Sequence, residues 1–199
     1  MEQKNTMKLN GKDYMNIGIF TAINLVISIA VACTIGMIPM GFVLLSVISP
    51  FAIGIPTMLF YTKIKKPGMI MIYTMINGVV MILTGMGPGA LVVGMIFSFF
   101  AELILKASGY KSSRMCVIAY GVASIATASN YIQWLFASEE WLTQKASGYG
   151  KEYVMTVNGY FQHTWVFPGI ILLSFLGGIL GGVLGRHVLK KHFERSSLV

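Results

Sequence analysis

Charge is what this sequence has least of: Asp, Glu, Lys and Arg together make up 11% of its 199 residues, with only 7 acidic side chains among them. A soluble domain carries roughly 25% charged residues to cover its surface. A water-facing exterior is therefore excluded, and lipid is expected to take its place. Catalytic signatures are missing as well: the chain has no H-E-x-x-H, no G-x-S-x-G and no Walker P-loop. Without a nucleotide-binding motif it is not expected to draw on ATP by itself. Cysteine is scarce, and Cys33 and Cys116 stand alone in separate apolar runs with neither C-x-x-C nor zinc spacing, so both read as small packing residues. His163, His187 and His192 share no metal-ligand spacing, and the neighbours Glu139 and Glu140 point apart on a helix or a strand. No catalytic residue, metal or cofactor is assigned.

Apolar residues, at 55%, dominate what is there, and the mean hydropathy is +0.72. The 22 glycines suit helices that must approach closely in lipid, where no hydrophobic force draws them together. The 14 methionines read first as adaptable packing and second as a pliable binding surface. A net charge of +8 invites a nucleic-acid reading, but the basic residues fall in short clusters between apolar runs and form no basic face or arm.

A membrane span needs about 20 predominantly apolar residues. Six runs qualify, at about 16–37, 41–61, 69–84, 90–105, 115–136 and 164–189, the third and fourth being short. Tight links at Ile38, Pro39 and Met40 and at 85–89, a Gly-Met-Gly-Pro-Gly stretch, make neighbouring spans antiparallel. No cleavable signal peptide is expected, because the first apolar run exceeds signal-peptide length and lacks a cleavage site. The whole chain, 1–199, reads as a single all-α integral membrane domain of six transmembrane helices.

Its orientation follows from the basic residues. Lys4, Lys8 and Lys12 precede the first span, Lys63, Lys65 and Lys66 link the second to the third, Lys106, Lys111 and Arg114 link the fourth to the fifth, and Arg186, Lys190, Lys191 and Arg195 follow the sixth. Thirteen of the 15 basic residues thus fall on one side, which leaves Lys145 and Lys151 with Glu139, Glu140 and Glu152 on the other. Both termini are expected in the cytoplasm, with a cytoplasmic arm at 1–14, a long extracellular loop at 137–163 and a cytoplasmic tail at 190–199.

That loop is crowded with aromatics: Trp141, Tyr149, Tyr153, Tyr160 and Phe161, flanked by Trp134 and Trp165. They suit either a belt at the membrane interface or the lid of an outward-opening pocket. Asn130, Tyr131, Gln133 and Trp134 end the fifth span, and Gln162, His163 and Trp165 begin the sixth at the same depth. A few placed hydrogen-bonding groups among apolar walls are what a small-molecule site requires, so these seven are the candidate substrate-binding residues. Within the spans, Asn24 and Asn77 read as interhelical hydrogen-bonders. Glu102, with Lys106 one turn later, reads as a paired or snorkelling residue ahead of a proton relay.

Small residues recur at four-residue spacing. Gly177, Gly181 and Gly185 overlap a second register at Gly178 and Gly182 in the sixth span, where internal packing is the expected role. Gly18 and Ala22 repeat the spacing in the first span, where a partner helix is the more interesting reading. The six spans, that early small pair and the long outer loop resemble the substrate-binding S components of energy-coupling-factor (ECF) transporters. The glycine-rich ending at 177–185, followed by a basic tail, is similar to the Trep_Strep group among them. The resemblance implies an ECF S-component-like bundle that works with a transmembrane coupling protein and two cytoplasmic ATPases. It further implies capture of a micronutrient outside and toppling in the membrane to release it inside. In that family the early motif, usually Ala-xxx-Ala, packs on the coupling protein, which assigns the partner interface to Gly18 and Ala22. A stand-alone or oligomeric permease is the alternative. An intramembrane hydrolase or transferase using His163 with Glu139 or Glu140 is the enzyme reading, and it lacks a nucleophile.

Overall fold

The computed structural model describes residues 8–85 and 87–196. The first helix, α1 (Gly11–Ile35), starts where a capping box closes: the Asn10 side chain accepts from the Asp13 amide at 3.0 Å, and the Asp13 carboxylate accepts from the Asn10 amide at 2.8 Å. This reciprocal pairing satisfies two amide donors that a helix start leaves open, and it moves the helix start five residues ahead of the expected apolar boundary. α1 is inside-out by the standard of a soluble helix. Its buried face holds Ile17, Phe20, Thr21 and Asn24, while Met15, Ile19, Ile23, Val26 and Ile29 are exposed. Polar groups inward and branched apolar groups outward is the pattern that lipid imposes.

The remaining helices are α2 (Pro39–Ala52), α3 (Gly54–Lys63), α4 (Met69–Leu83), α5 (Gly89–Ala107), α6 (Ser113–Ser124), α7 (Ile132–Leu135), α8 (Glu139–Tyr149), α9 (Lys151–Phe161) and α10 (Val166–Ser196), with a 3-10 stretch at Ile125–Tyr131 between α6 and α7. No strand occurs among the described residues. Among the described residues five segments are long and apolar enough to cross a membrane: Gly11–Ile35, Pro39–Lys63, Gly89–Ala107, Ser113–Leu135 and Val166–Lys190. The sixth expected span corresponds to α4, an apolar helix of 15 residues. At 1.5 Å per residue it is about 22 Å long, against a hydrocarbon core of about 30 Å.

α10 runs through the bundle and meets α2, α3 and α6 along its length. Its glycines set these approaches. Side chains added at Gly177, Gly181 and Gly185 would run into the backbone of Val47, of Pro50 and Phe51, and of Gly54, whereas Gly178 and Gly182 face Ser124, Gly121, Val117 and Tyr120 of α6. The two sequence registers are therefore two packing faces of one helix, as expected for internal packing.

One end of the bundle gathers the arm before α1, the α3–α4 link and the α5–α6 link. Lys66 pairs with Asp13 at 2.6 Å, and Leu9 lies beside Gly68, whose φ of 89° turns the chain into α4. Glu102 belongs to this end and corrects its sequence reading. It is buried and its carboxylate accepts from the Ile70 amide at 3.1 Å and the Tyr110 hydroxyl at 2.7 Å, while Lys106 is exposed. The carboxylate thus serves the open amides at the α4 N-terminus, where the helix dipole also favours negative charge. Lys4 lies outside the described residues, as do Met86 and the side chains of Lys191, His192 and Arg195.

At the opposite end, the stretch at 137–163 folds as a helical hairpin. Ser138 caps α8 by accepting from the Trp141 amide at 3.2 Å, and Gly150 separates α8 from α9 at φ 89°. Val154, Val157 and Phe161 of α9 are buried against Ala128, Tyr131, Trp134, Val166 and Ile170, forming one of two apolar cores. The other, around Ile17, Phe20, Met58, Phe60, Met69, Leu105 and Tyr120, lies toward the basic end.

Candidate functional site

Between these cores lies a cavity of about 190 Å³. Two interruptions of helical structure line it. The first is the junction of α2 and α3, where Pro50 lies inside α2 and Ser49, Pro50, Ile53 and Thr57 face the cavity. Proline removes an amide donor and crowds the preceding turn, and Tyr120 donates its hydroxyl to the Pro50 carbonyl. The second is the 3-10 stretch after α6, whose Ala126, Thr127, Ser129 and Asn130 contribute to the wall. In a membrane protein, irregular backbone is tolerated where it is buried in protein or lines a cavity. A 3-10 stretch in mid-span also marks functional sites more often than an uninterrupted helix does.

Opposite stand Leu25 and Ser28 of α1, Tyr73, Thr74, Asn77 and Met81 of α4, and Ala90 and Gly94 of α5. Asn24 supports them from behind, its amide donating to Thr57 Oγ1 at 3.0 Å and to the Tyr73 hydroxyl at 2.9 Å. Thr57 in turn donates to the Ile53 carbonyl at 2.8 Å, and the Asn77 amide donates to the Tyr73 carbonyl at 3.1 Å. Asn130 Oδ1 is buried without a hydrogen-bond partner among the described residues. A buried unpaired carbonyl is costly, and here it sits on a residue that lines an open volume. No Asp, Glu, Lys, Arg or His is among the described residues lining the cavity.

The seven candidate residues separate in space. Asn130 lines the cavity, and Gln133 lines a second cleft with Trp141, Gln144, Lys145 and Tyr149 at the hairpin end. Tyr131 and Trp134 are buried in an aromatic cluster that seats the hairpin. Trp134 stacks on Phe161 at 5.9 Å and meets Trp141 edge-on at 5.0 Å; Tyr131 meets Phe42 edge-on at 5.1 Å and donates its hydroxyl to the Phe42 carbonyl at 2.9 Å. Such pairs add about 1 kcal/mol each beyond area burial. Gln162, His163 and Trp165 are exposed and line neither cavity, with His163 stacked on Trp165. Glu139 and Glu140 are exposed in the first turn of α8, where the helix dipole favours acidic groups. Among the described residues no three His, Cys, Asp or Glu gather in a metal-binding arrangement.

The hairpin is also tied by Tyr153, whose hydroxyl donates to the Gly36 carbonyl at the end of α1. Burial, with Tyr149 beside it, pushes the Tyr153 hydroxyl up to about 12. At the basic end, burial and then the Glu102 carboxylate raise the Tyr110 hydroxyl as well. Both remain donors at neutral pH.

The cavity residues that sequence reasoning passed over, among them Ser28, Thr57, Tyr73 and Ser124, stand singly in apolar runs of four different helices. Pro50, in the middle of the second run, was the signal available for that wall. Gly18 and Ala22 are exposed on α1, and a side chain added at Gly18 would meet nothing within 4 Å. No curated protein and no solved structure matches the chain. Residues 11–195 match the model of a family described as hypothetical bacterial integral membrane protein (Trep_Strep). A lipid-facing helical bundle matched over nearly its whole length in this way belongs to the Trep_Strep family of bacterial integral membrane proteins.

Proposed function

We propose that this chain is the substrate-capturing S component of an ECF-type importer for a vitamin-like or other scarce small molecule, and is not an enzyme. In this reading it crosses the membrane six times, with α4 as the short span and both termini in the cytoplasm. A transmembrane coupling protein and two cytoplasmic ATPases supply the energy. The observation that carries the proposal is the cavity itself: a mostly apolar volume with hydroxyl and amide groups placed in its wall, bounded by two helix interruptions. Membrane proteins keep polar groups and broken helices at depth where they serve a substrate or an ion. Exposure of Gly18 and Ala22 supports their assignment as the face that meets the coupling protein, since small residues let two helix backbones approach. Asn130, one of the seven candidate binding residues, is the one that reaches this cavity.

The test is association. Coexpressed with an ECF coupling protein and its ATPases, the tagged chain is expected to bring all three through affinity purification. Gly18→Leu and Ala22→Leu are expected to lose them while the chain still inserts and elutes as a folded species. Uptake into vesicles by the chain alone, with no association in any purification, would instead establish the stand-alone permease.

A further inference from the structure

The chemistry of the cavity wall restricts what it can hold. Burying an ion without a counter-charge costs several kcal/mol even after the protein relaxes, and the described lining offers none. Part of the wall's hydroxyl set is committed, while Tyr73 and Ser28 accept from Asn24 and Ser49 and keep their hydrogens to donate. Thr57, Tyr120, Ser124 and Ser129 each donate to a backbone carbonyl, of Ile53, Pro50, Tyr120 and Ala126 respectively. A hydroxyl has one hydrogen, so toward the cavity these four oxygens can only accept. Asn130 Oδ1 adds a fifth acceptor with no partner of its own. The cavity volume is about 190 Å³. It lies below the range of about 300–1,000 Å³ typical of drug-sized ligands.

We infer that the captured substrate is a small uncharged molecule with hydrogen-bonding groups, held by a wall of acceptors and donors that includes Asn130. The inference rests on the capture reading above and adds the substrate class. Carboxylates, phosphates and ammonium compounds are disfavoured by the missing counter-charge.

The experiment divides the small-molecule portion of yeast extract on a mixed-bed ion exchanger into a deionised flow-through and a salt-eluted ionic fraction. Each is incubated with the purified full chain in detergent, which is then desalted and weighed by native mass spectrometry. An adduct of one added mass from the flow-through is expected, together with a rise in melting temperature. Asn130→Leu is expected to require about tenfold more flow-through for the same occupancy, the loss of one buried hydrogen bond. An adduct from the ionic fraction alone would overturn the uncharged class while leaving small-molecule capture standing. No adduct from either fraction would overturn the inference and the capture reading together. The wild-type comparison decides the matter whether or not the variant folds.

Discussion

Glu102 shows how much one buried carboxylate can organise. It joins α4, α5 and the link after α5 by accepting from Ile70 and Tyr110, and Tyr110 holds the left-handed φ of 58° that the turn requires. Glu102→Ala would leave the Ile70 amide and the Tyr110 hydroxyl unpaired, at about 1–3 kcal/mol for each buried donor. A clear drop in melting temperature in detergent is expected, whereas Lys106→Ala should leave it within error because that ammonium is exposed. Tyr153 supports a pH prediction at the same scale. Its folded value of about 12 lies above the ordinary 10. The folded state therefore binds the proton more tightly, and the stability this adds is full below pH 10 and lost between pH 10 and 12. Melting temperature followed across that window should fall less steeply in Tyr153→Phe than in the wild type. Equal slopes would mean that the Tyr153 hydroxyl is not held in the buried position beside Tyr149.

At the scale of elements, the packing of α10 turns on glycine for a reason that differs from place to place. Gly54 and Gly181 meet backbone to backbone, so Gly54→Ala has no flexible neighbour to displace. Overpacking of this kind costs about 1–3 kcal/mol or more, and a lower melting temperature and poorer yield are expected. Gly159, inside α9, has nothing within 4 Å of an added Cβ. Gly159→Ala should instead stabilise, by about 0.5–1 kcal/mol, because it removes backbone freedom from the unfolded chain. A chemical-denaturation series on both variants reads the opposite signs. The contrast also marks what the sequence made legible. Four-residue glycine spacing identified the α10 stripe and its internal role, and apolar length located the long helices within a few residues. Hydropathy could not separate α2 from α3, or α6 from the 3-10 stretch, because each break lies within a continuous apolar run. The cavity was obscured for a related reason: its polar groups are spread over α1, α2, α3, α4, α6 and the 3-10 stretch, and only tertiary packing brings them together. The opposite happened with Tyr131 and Trp134, whose adjacency in the chain suggested a pocket while their rings fill a core.

The whole molecule is asymmetric in charge, and that asymmetry makes its last prediction. Lys8, Lys12, Lys63, Lys65, Lys66, Lys106, Lys111 and Arg114 all lie in or beside the links that gather at one end, where Asp13, Lys66, Glu102 and Tyr110 lock them together. The hairpin end carries Lys145 and Lys151, balanced by Glu139, Glu140 and Glu152. Positive segments are retained on the cytoplasmic side during insertion, so the proposed orientation turns the hairpin outward. Lys111 and Lys151 are both exposed, which makes them suitable reporters. In a background where Cys33 and Cys116 are replaced by Ala, Lys151→Cys should react with a membrane-impermeant maleimide in intact cells. Lys111→Cys should react only after the membrane is opened. The reverse pattern would place the hairpin in the cytoplasm, on the side where the coupling ATPases work, and would remove capture from outside along with it.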